Sequence, residues 1–287
     1  MDKCDKLNVV LFALTGFGNT VLEALLKDVR VNVTAVFTVK YDHPFPYYEE
    51  QHLLELCHER QVTCYYGVQV RSDEGIALLR RHAPDLIVVA TFKQILAQNV
   101  LSLARLGVVN LHPSLLPRYR GPCPTHAALL NDEAVAGVTA HYVTEKLDEG
   151  NILLQRSMAI NEVDNDGQLR QKLARLAGEM VPELIGLFAG FTKPAGLPQD
   201  HSLATLAPRP TVEAGYLELA ADIPTISRQM RAFNPLPGTS ILVGDRRVVV
   251  DRFELLRDSR ADGLYENDKF IELVIDSQAI RLYKKAI

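Results

Sequence analysis

Short, nearly uninterrupted apolar runs, each followed by a segment of helical spacing, constrain this chain more than any other feature. The runs lie at Leu7–Ala13, 31–39, 63–66, 85–90 and Val108–His112. A strand covered on both faces reads as a continuous apolar run, and parallel strands need helical crossovers between them. The intervening stretches at 21–27, 49–60, 72–82 and 96–103 fit such crossovers; Leu53, Leu54, Leu56 and Cys57 give one of them an apolar face, and Ser72 reads as an N-cap. The alternation predicts an α/β fold with a doubly wound, mostly parallel sheet. Thr15-Gly16-Phe17-Gly18-Asn19 makes a glycine turn after the first strand, but Val21 stands where a dinucleotide fingerprint needs its third glycine. Gly16 and Gly18 are therefore read as a tight turn approaching a substrate, and nicotinamide binding is not expected.

The fifth run carries polar side chains at alternate positions, Asn110 and His112, and Pro113 ends it. Residues i and i+2 of a strand share a face, so amide and imidazole point the same way. Ligands of such sheets sit beyond the carboxyl ends of the strands, where this pair lies. Either the two groups close a strand end by hydrogen bonding, or something uses them. A second segment, Gly137 to Gln155, reads as strand, tight loop and strand, with Asp148 in the loop beside Gly150. An Asn, a His and a loop Asp can together stabilise an oxyanion and accept a proton. His141, inside this strand, reads as a packed histidine, and His126 as a helix-surface or helix-end histidine. Asp166 reads as the cap of a long amphipathic helix bearing Leu169, Leu173, Leu176, Met180 and Leu184.

Asn110-Leu111-His112, Ser114-Leu115-Leu116-Pro117 with Arg120-Gly121, and Leu147-Asp148-Glu149-Gly150 resemble the signature of the formyltetrahydrofolate-dependent formyltransferases. That family includes methionyl-tRNA, glycinamide ribonucleotide, sugar and hydroxyornithine formyltransferases. Arg231 to Gly238, Arg-Ala-Phe-Asn-Pro-Leu-Pro-Gly, resembles the junction into the C-terminal domain of the methionyl-tRNA and sugar-modifying branches. The resemblance implies formyl transfer from N10-formyltetrahydrofolate to an amine or hydroxylamine nitrogen, with Asn110, His112 and Asp148 as catalytic residues. It implies a folate site along Phe92, Lys93, Ile95, Ser114, Leu115, Leu116, Pro117 and Thr139, and no metal. Gly16, Gly18, Arg118 and Arg120 are candidates for contact with the acceptor. A formyltetrahydrofolate hydrolase and a non-catalytic folate-binding protein are the alternatives of another class.

Three segments are expected: a catalytic domain at 1–190, a proline-rich linker at 191–210, and a small β domain, OB-like, at 211–287. In the last, helix 223–233 precedes strands at 241–243, 247–250, 253–255, 270–275 and 279–283. The β domain has two roles open to it, homodimer contact or acceptor binding.

The 287 residues, 47% hydrophobic and 23% charged, give ordinary globular composition. No apolar run is long enough to span a membrane. The charged start, Met1 to Lys6, is not of signal-peptide type. Four cysteines at irregular spacing match neither a disulfide framework nor a zinc site. These features together predict a cytoplasmic enzyme with free thiols. A net charge of −4 does not mark a nucleic-acid protein. Residues 40–48 hold Tyr41, Phe45, Tyr47 and Tyr48 but only one lysine, opposed by Asp42. The tRNA-modifying relatives carry a longer basic insertion at that place. The expected partner is therefore a small amine, such as an amino sugar nucleotide or hydroxyornithine-type compound, with methionyl-tRNA as runner-up.

Overall fold

The computed structural model describes residues 6–39, 51–257 and 260–285. The aromatic stretch at 40–48 and the first two residues of the helix expected at 49–60 lie outside the described residues. Strands β1 (Leu7–Ala13), β2 (Val31–Thr38), β3 (Cys64–Tyr66), β4 (Leu86–Ala90) and β5 (Val108–His112) form the parallel part of a seven-stranded sheet. The order is β3-β2-β1-β4-β5-β6-β7, with β6 (Val135–Tyr142) antiparallel to β5 and β7 (Ile152–Ala159) at the edge. The winding reverses between β1 and β4. Helices α1 (Phe17–Lys27), α2 (Leu53–Glu59), α3 (Asp73–His82) and α4 (Gln98–Leu101) occupy the crossovers.

Why the runs are continuous is visible in the core. Val10 and Phe12 of β1, Ala35 and Phe37 of β2, and Ile87 and Val89 of β4 pack on one face with Ile76, Leu79, Leu96 and Val100. The alternate residues Val9, Leu11, Val36, Leu86 and Val88 are fully buried as well. Each such side chain contributes roughly 1.5–3 kcal/mol on burial, so apolar residues occupy both faces along the buried parts of the strands. Ser72 caps α3 as expected, its Oγ accepting the Gly75 N–H at 3.1 Å.

Helix α6 (Asp166–Gly186) is the long amphipathic helix, but its cap differs from expectation. Asn165 and Gln168 exchange backbone and side-chain hydrogen bonds (3.1 and 2.9 Å), the reciprocal arrangement of a capping box. Asp166 is instead fully buried and accepts the Thr125 hydroxyl at 2.5 Å, on α5 (Pro124–Leu130). His126 is likewise buried, with Nε2 3.0 Å from the Leu236 carbonyl and 3.7 Å from Asp166, rather than on a helix surface.

The chain divides into two compact units: residues 1–121, 135–158 and 170–206, and residues 122–134, 159–169 and 207–287. Residues 191–206, expected as linker, group with the first unit, and the second recruits α5 in addition to the C-terminal β region. In the second unit α7 (Ile223–Ala232) is capped by Asp222, which accepts the Thr225 N–H at 2.8 Å. Its Ile223, Ile226 and Met230 cover a five-stranded antiparallel sheet. The order is β10-β11-β12-β9-β8, from β8 (Thr239–Val243), β9 (Arg246–Arg257), β10 (Gly263–Glu266), β11 (Phe270–Ile275) and β12 (Gln278–Lys284). Strands β8 and β10 stand at the two ends of that order, and α7 buries the apolar face of the sheet. The two strands expected at 247–250 and 253–255 are one, β9, with a register irregularity opposite Tyr283 and Lys284. Among the described residues no helix is long and apolar enough to cross a membrane.

Candidate active site

The antiparallel pairing of β5 with β6 sets the first half of the site. In this register Asn110 lies opposite His141, and His112 opposite Thr139. Directly opposed residues share a face, so the four side chains line one surface at the carboxyl end of β5. The sequence pattern read His141 as packing alone, because its partner is defined by pairing between strands and not by spacing within one.

Hydrogen bonding assigns the tautomers. His141 Nδ1 lies 2.9 Å from the Tyr142 carbonyl, which can only accept, so Nδ1 carries the proton. Its Nε2 is then a lone pair that accepts the Asn110 amide N–H at 3.3 Å. This agrees with the acidity of the ring: burial, and next the charge of His112, push His141 down to about 4, against the opposing pull of Asp148. It is neutral near pH 7. His112 Nε2 donates to the Tyr119 carbonyl at 3.0 Å, leaving Nδ1 facing Asp148 Oδ2 at 3.7 Å.

Asp148 enters from the loop between β6 and β7. Its backbone is left-handed, with φ +50°, a conformation that Asp tolerates better than most residues. Oδ2 accepts the Gly121 N–H at 2.8 Å, and Oδ1 lies 3.6 Å from His141 Nε2. The loop passes close to β6: a Cβ on Gly150 would stand 1.8 Å from the Tyr142 carbonyl oxygen, so only glycine fits. The carboxylate thus sits between two imidazole edges, Nε2 of the neutral His141 and Nδ1 of His112. Asn110, His112 and Asp148, expected from sequence to act together, are in one cluster; His141 completes it.

The segment 114–117 follows β5. Thr139 braces it, its hydroxyl donating to the Ser114 carbonyl (2.6 Å) and accepting from Leu116 N–H (3.1 Å) and Gln155 Nε2 (2.8 Å). Ser114 Oγ donates to the Arg118 carbonyl at 2.8 Å. Ser114, Leu116 and Thr139 are buried, while Leu115 and Pro117 are half-buried. The side chains of Ser114 and Thr139, expected along a folate, are therefore occupied in shaping the loop. Phe92 stacks on Phe12 with centroids 5.1 Å apart, Lys93 is exposed, and Ile95 is 78% exposed. Leu147, next to Asp148, is 59% exposed. Large aliphatic side chains left in water, Leu147 next to Asp148 and Ile95 in the segment after β4, suit a flat, partly apolar ligand.

The four acceptor candidates fare differently. Gly18 is required by packing, since a Cβ there would come 2.6 Å from Ala13 Cβ. Gly16, at φ +95°, gives its N–H to Asn19 Oδ1 at 3.0 Å and opens α1. Arg118 is exposed, its guanidinium over the Tyr119 ring at 5.0 Å. Arg120 is 5% exposed, and its guanidinium is taken up by Gln199, His201 and Glu149. An arginine so enclosed belongs to the internal frame of the loops and not to an exposed acceptor surface. Among the described residues no group of His, Cys, Asp and Glu has the arrangement of a metal site.

The fold and the cluster define a doubly wound α/β protein with a polar site at the carboxyl end of β5, one strand beyond the topological reversal between β1 and β4. Residues 7–185 match the formyl transferase family, and the chain belongs to that family. It is 30% identical to a methionyl-tRNA formyltransferase of Methylacidiphilum infernorum, over 89% of this chain and 81% of the relative. It is 39% identical to a methionyl-tRNA formyltransferase of Syntrophus aciditrophicus over 59% of this chain, an alignment that spans only 54% of that relative. An N-formyltransferase from Helicobacter canadensis, solved with folinic acid and dTDP-3-aminofucose, shares the fold with a TM-score of 0.73 over 97% of this chain and all of its own, at 17% identity. Glycinamide ribonucleotide transformylase 1 of Symbiobacterium toebii is 25% identical, with a TM-score of 0.55 over 68% of this chain and 94% of its own.

Proposed function

We propose that the protein moves the formyl group of N10-formyltetrahydrofolate to the nitrogen of a small amine or hydroxylamine. The observation that carries this reading is the placement of the Asp148 carboxylate 3.7 Å from His112 Nδ1 and 3.6 Å from His141 Nε2, beside the Asn110 amide. In the reaction the acceptor nitrogen bonds to the formyl carbon, the carbonyl electron pair moves to oxygen, and the nitrogen loses a proton. Collapse then breaks the bond from the formyl carbon to N10, which takes up a proton. Asn110 spends one amide N–H on His141 and offers the other to the formyl oxygen. Asp148 takes the acceptor's proton, directly or through water. His112 has its Nε2–H committed to the Tyr119 carbonyl, so it acts through Nδ1, which faces Asp148 Oδ2 at 3.7 Å. His141, neutral, orients Asn110. Ile95 and Leu147 flank the donor's ring system, in line with the folinic acid bound to the Helicobacter canadensis enzyme.

The small-acceptor reading rests on the near-neutral, aromatic composition of residues 40–48, and the amino sugar bound to the Helicobacter canadensis enzyme is compatible with it. Methionyl-tRNA is the second reading, favoured by the sequence relatives. The cytoplasm, where a folate donor and free thiols coexist, is the proposed setting. Assaying transfer to amino sugar nucleotides, hydroxyornithine-type compounds and charged initiator tRNA, at low and high salt, tests the choice. Phosphate contacts make tRNA transfer fall steeply with salt, and small-amine transfer does not.

A further inference from the structure

We infer that Gln199, from the proline-rich stretch after α6, is a positioning residue for the Asp148 carboxylate, and that Arg120 sets its orientation. The inference rests on the proposed role of Asp148. Gln199 is 6% exposed. Its Nε2 donates to the carbonyls of Asp148 and Gly150, both at 2.8 Å. Its Oε1 accepts from Arg120 Nε at 3.2 Å and NH2 at 2.7 Å. Both N–H groups and both lone pairs of the amide are thereby used. A primary amide can do this in one orientation only, because a flip would turn two donors on Arg120 and two lone pairs on the loop carbonyls. Arg120 therefore decides which end of Gln199 meets the loop.

The same arginine precedes Gly121, whose N–H holds Asp148 Oδ2. Asp148 is thus gripped at its carboxylate by Gly121 and at its carbonyl by Gln199, with Arg120 common to both. Glu149 reaches Arg120 NH1 at 3.4 Å. The segment bearing Gln199 is anchored on either side. Leu197 and Ile152 exchange backbone hydrogen bonds at 2.8 Å, and Thr205 holds Tyr119 and Arg120 through their N–H groups at 2.8 and 2.9 Å. Tyr119 in turn supplies the carbonyl that orients His112. Residues 197–205 consequently tie both loops of the polar cluster to one strap. The left-handed turn at Asp148 is a conformation with few alternatives to spare, and it is the part that the strap holds.

Two variants separate positioning from bulk structure. Gln199→Glu keeps volume and the Arg120 partner but loses both donors to the loop carbonyls. Arg120→Lys keeps charge towards Glu149 but loses the fork that orients the amide. In each, a loop shift near 1 Å lowers kcat by about tenfold to a hundredfold, with KM for the formyl donor unchanged within about threefold and the melting temperature close to that of the wild type. Nitrogen-15 NMR of the imidazoles of His112 and His141, which needs no acceptor, reports the same displacement through altered titration of the ring nitrogens. If no amine accepts the formyl group, the acceptor reading fails, and shifted ring titrations still support the positioning role. Unchanged ring titrations in both variants overturn it, as does a kcat loss no greater than the loss of folded protein. If Gln199→Glu does not fold, Arg120→Lys decides by the same two readings.

Discussion

Gly150→Ala is the sharpest single perturbation of the proposed reaction, because the structure sets its size. The added Cβ would lie 1.8 Å from the Tyr142 carbonyl oxygen and 2.7 Å from its carbon, both backbone atoms in β6. Real Cβ contacts essentially never fall below 3.0 Å, so the loop must retreat by more than an ångström. Tyr142 cannot yield easily, since it pairs with Val109 of β5 and the next residue, Val143, gives its N–H to the Val108 carbonyl at 2.8 Å. The displaced residues include Asp148, whose carboxylate stands 3.7 and 3.6 Å from the two imidazoles. A misplacement of about 1 Å costs on the order of a hundredfold in rate, or about 2.7 kcal/mol in activation free energy. Steady-state formyl transfer, with donor affinity measured separately by titration calorimetry, should show this loss in kcat with donor affinity largely kept. Gly190→Ala is the control: nothing lies within 4 Å of its Cβ, so it bears only the strain of φ +70° and leaves kcat unchanged. A Gly150→Ala enzyme within about threefold of wild-type kcat would refute the placement of Asp148 as the proton acceptor.

Asp148→Asn and His112→Ala are each expected to lower turnover by about a hundredfold or more while folate binding persists; near-normal turnover in either removes that residue from the mechanism. Thr139→Val deletes three hydrogen bonds under the 114–117 segment, and urea unfolding should show a loss of about 1–3 kcal/mol, with weaker donor binding. For His141, the folded ring is pushed from 6.5 down to about 4, so the unfolded chain binds the proton more readily. Its contribution to stability is complete above pH 6.5 and is lost as the pH falls towards 4. Denaturant titrations across that window should show a decline that His141→Gln flattens; equal slopes for the two proteins would contradict the assignment.

The parallel sheet was legible because burial on both faces leaves continuous apolar runs, and Asn110 and His112 stood out as polar residues inside one of them. Asp148 was legible through its motif and its glycine. What escaped depends on contacts between segments far apart in sequence. His141 acquires its place from the β5–β6 register, which no spacing within β6 reveals. Gln199 lies among prolines and reads as linker, and only its four hydrogen bonds to residues some fifty to eighty positions away show otherwise. Gly18 looked like a ligand-approach glycine because the sequence cannot show Ala13 beneath it. Asn165 and Asp166 are adjacent acceptors of similar capping power, and burial against Thr125 decides between them.

The most direct test is to follow an isotope-labelled formyl group from N10-formyltetrahydrofolate onto a panel of small amines and hydroxylamines by mass spectrometry, with wild-type and Asp148→Asn protein side by side. The predicted result is salt-insensitive labelling of at least one small acceptor by the wild type and its near-abolition in Asp148→Asn. Release of label only as formate, or transfer to methionyl-tRNA that exceeds every small amine and collapses with salt, would contradict it.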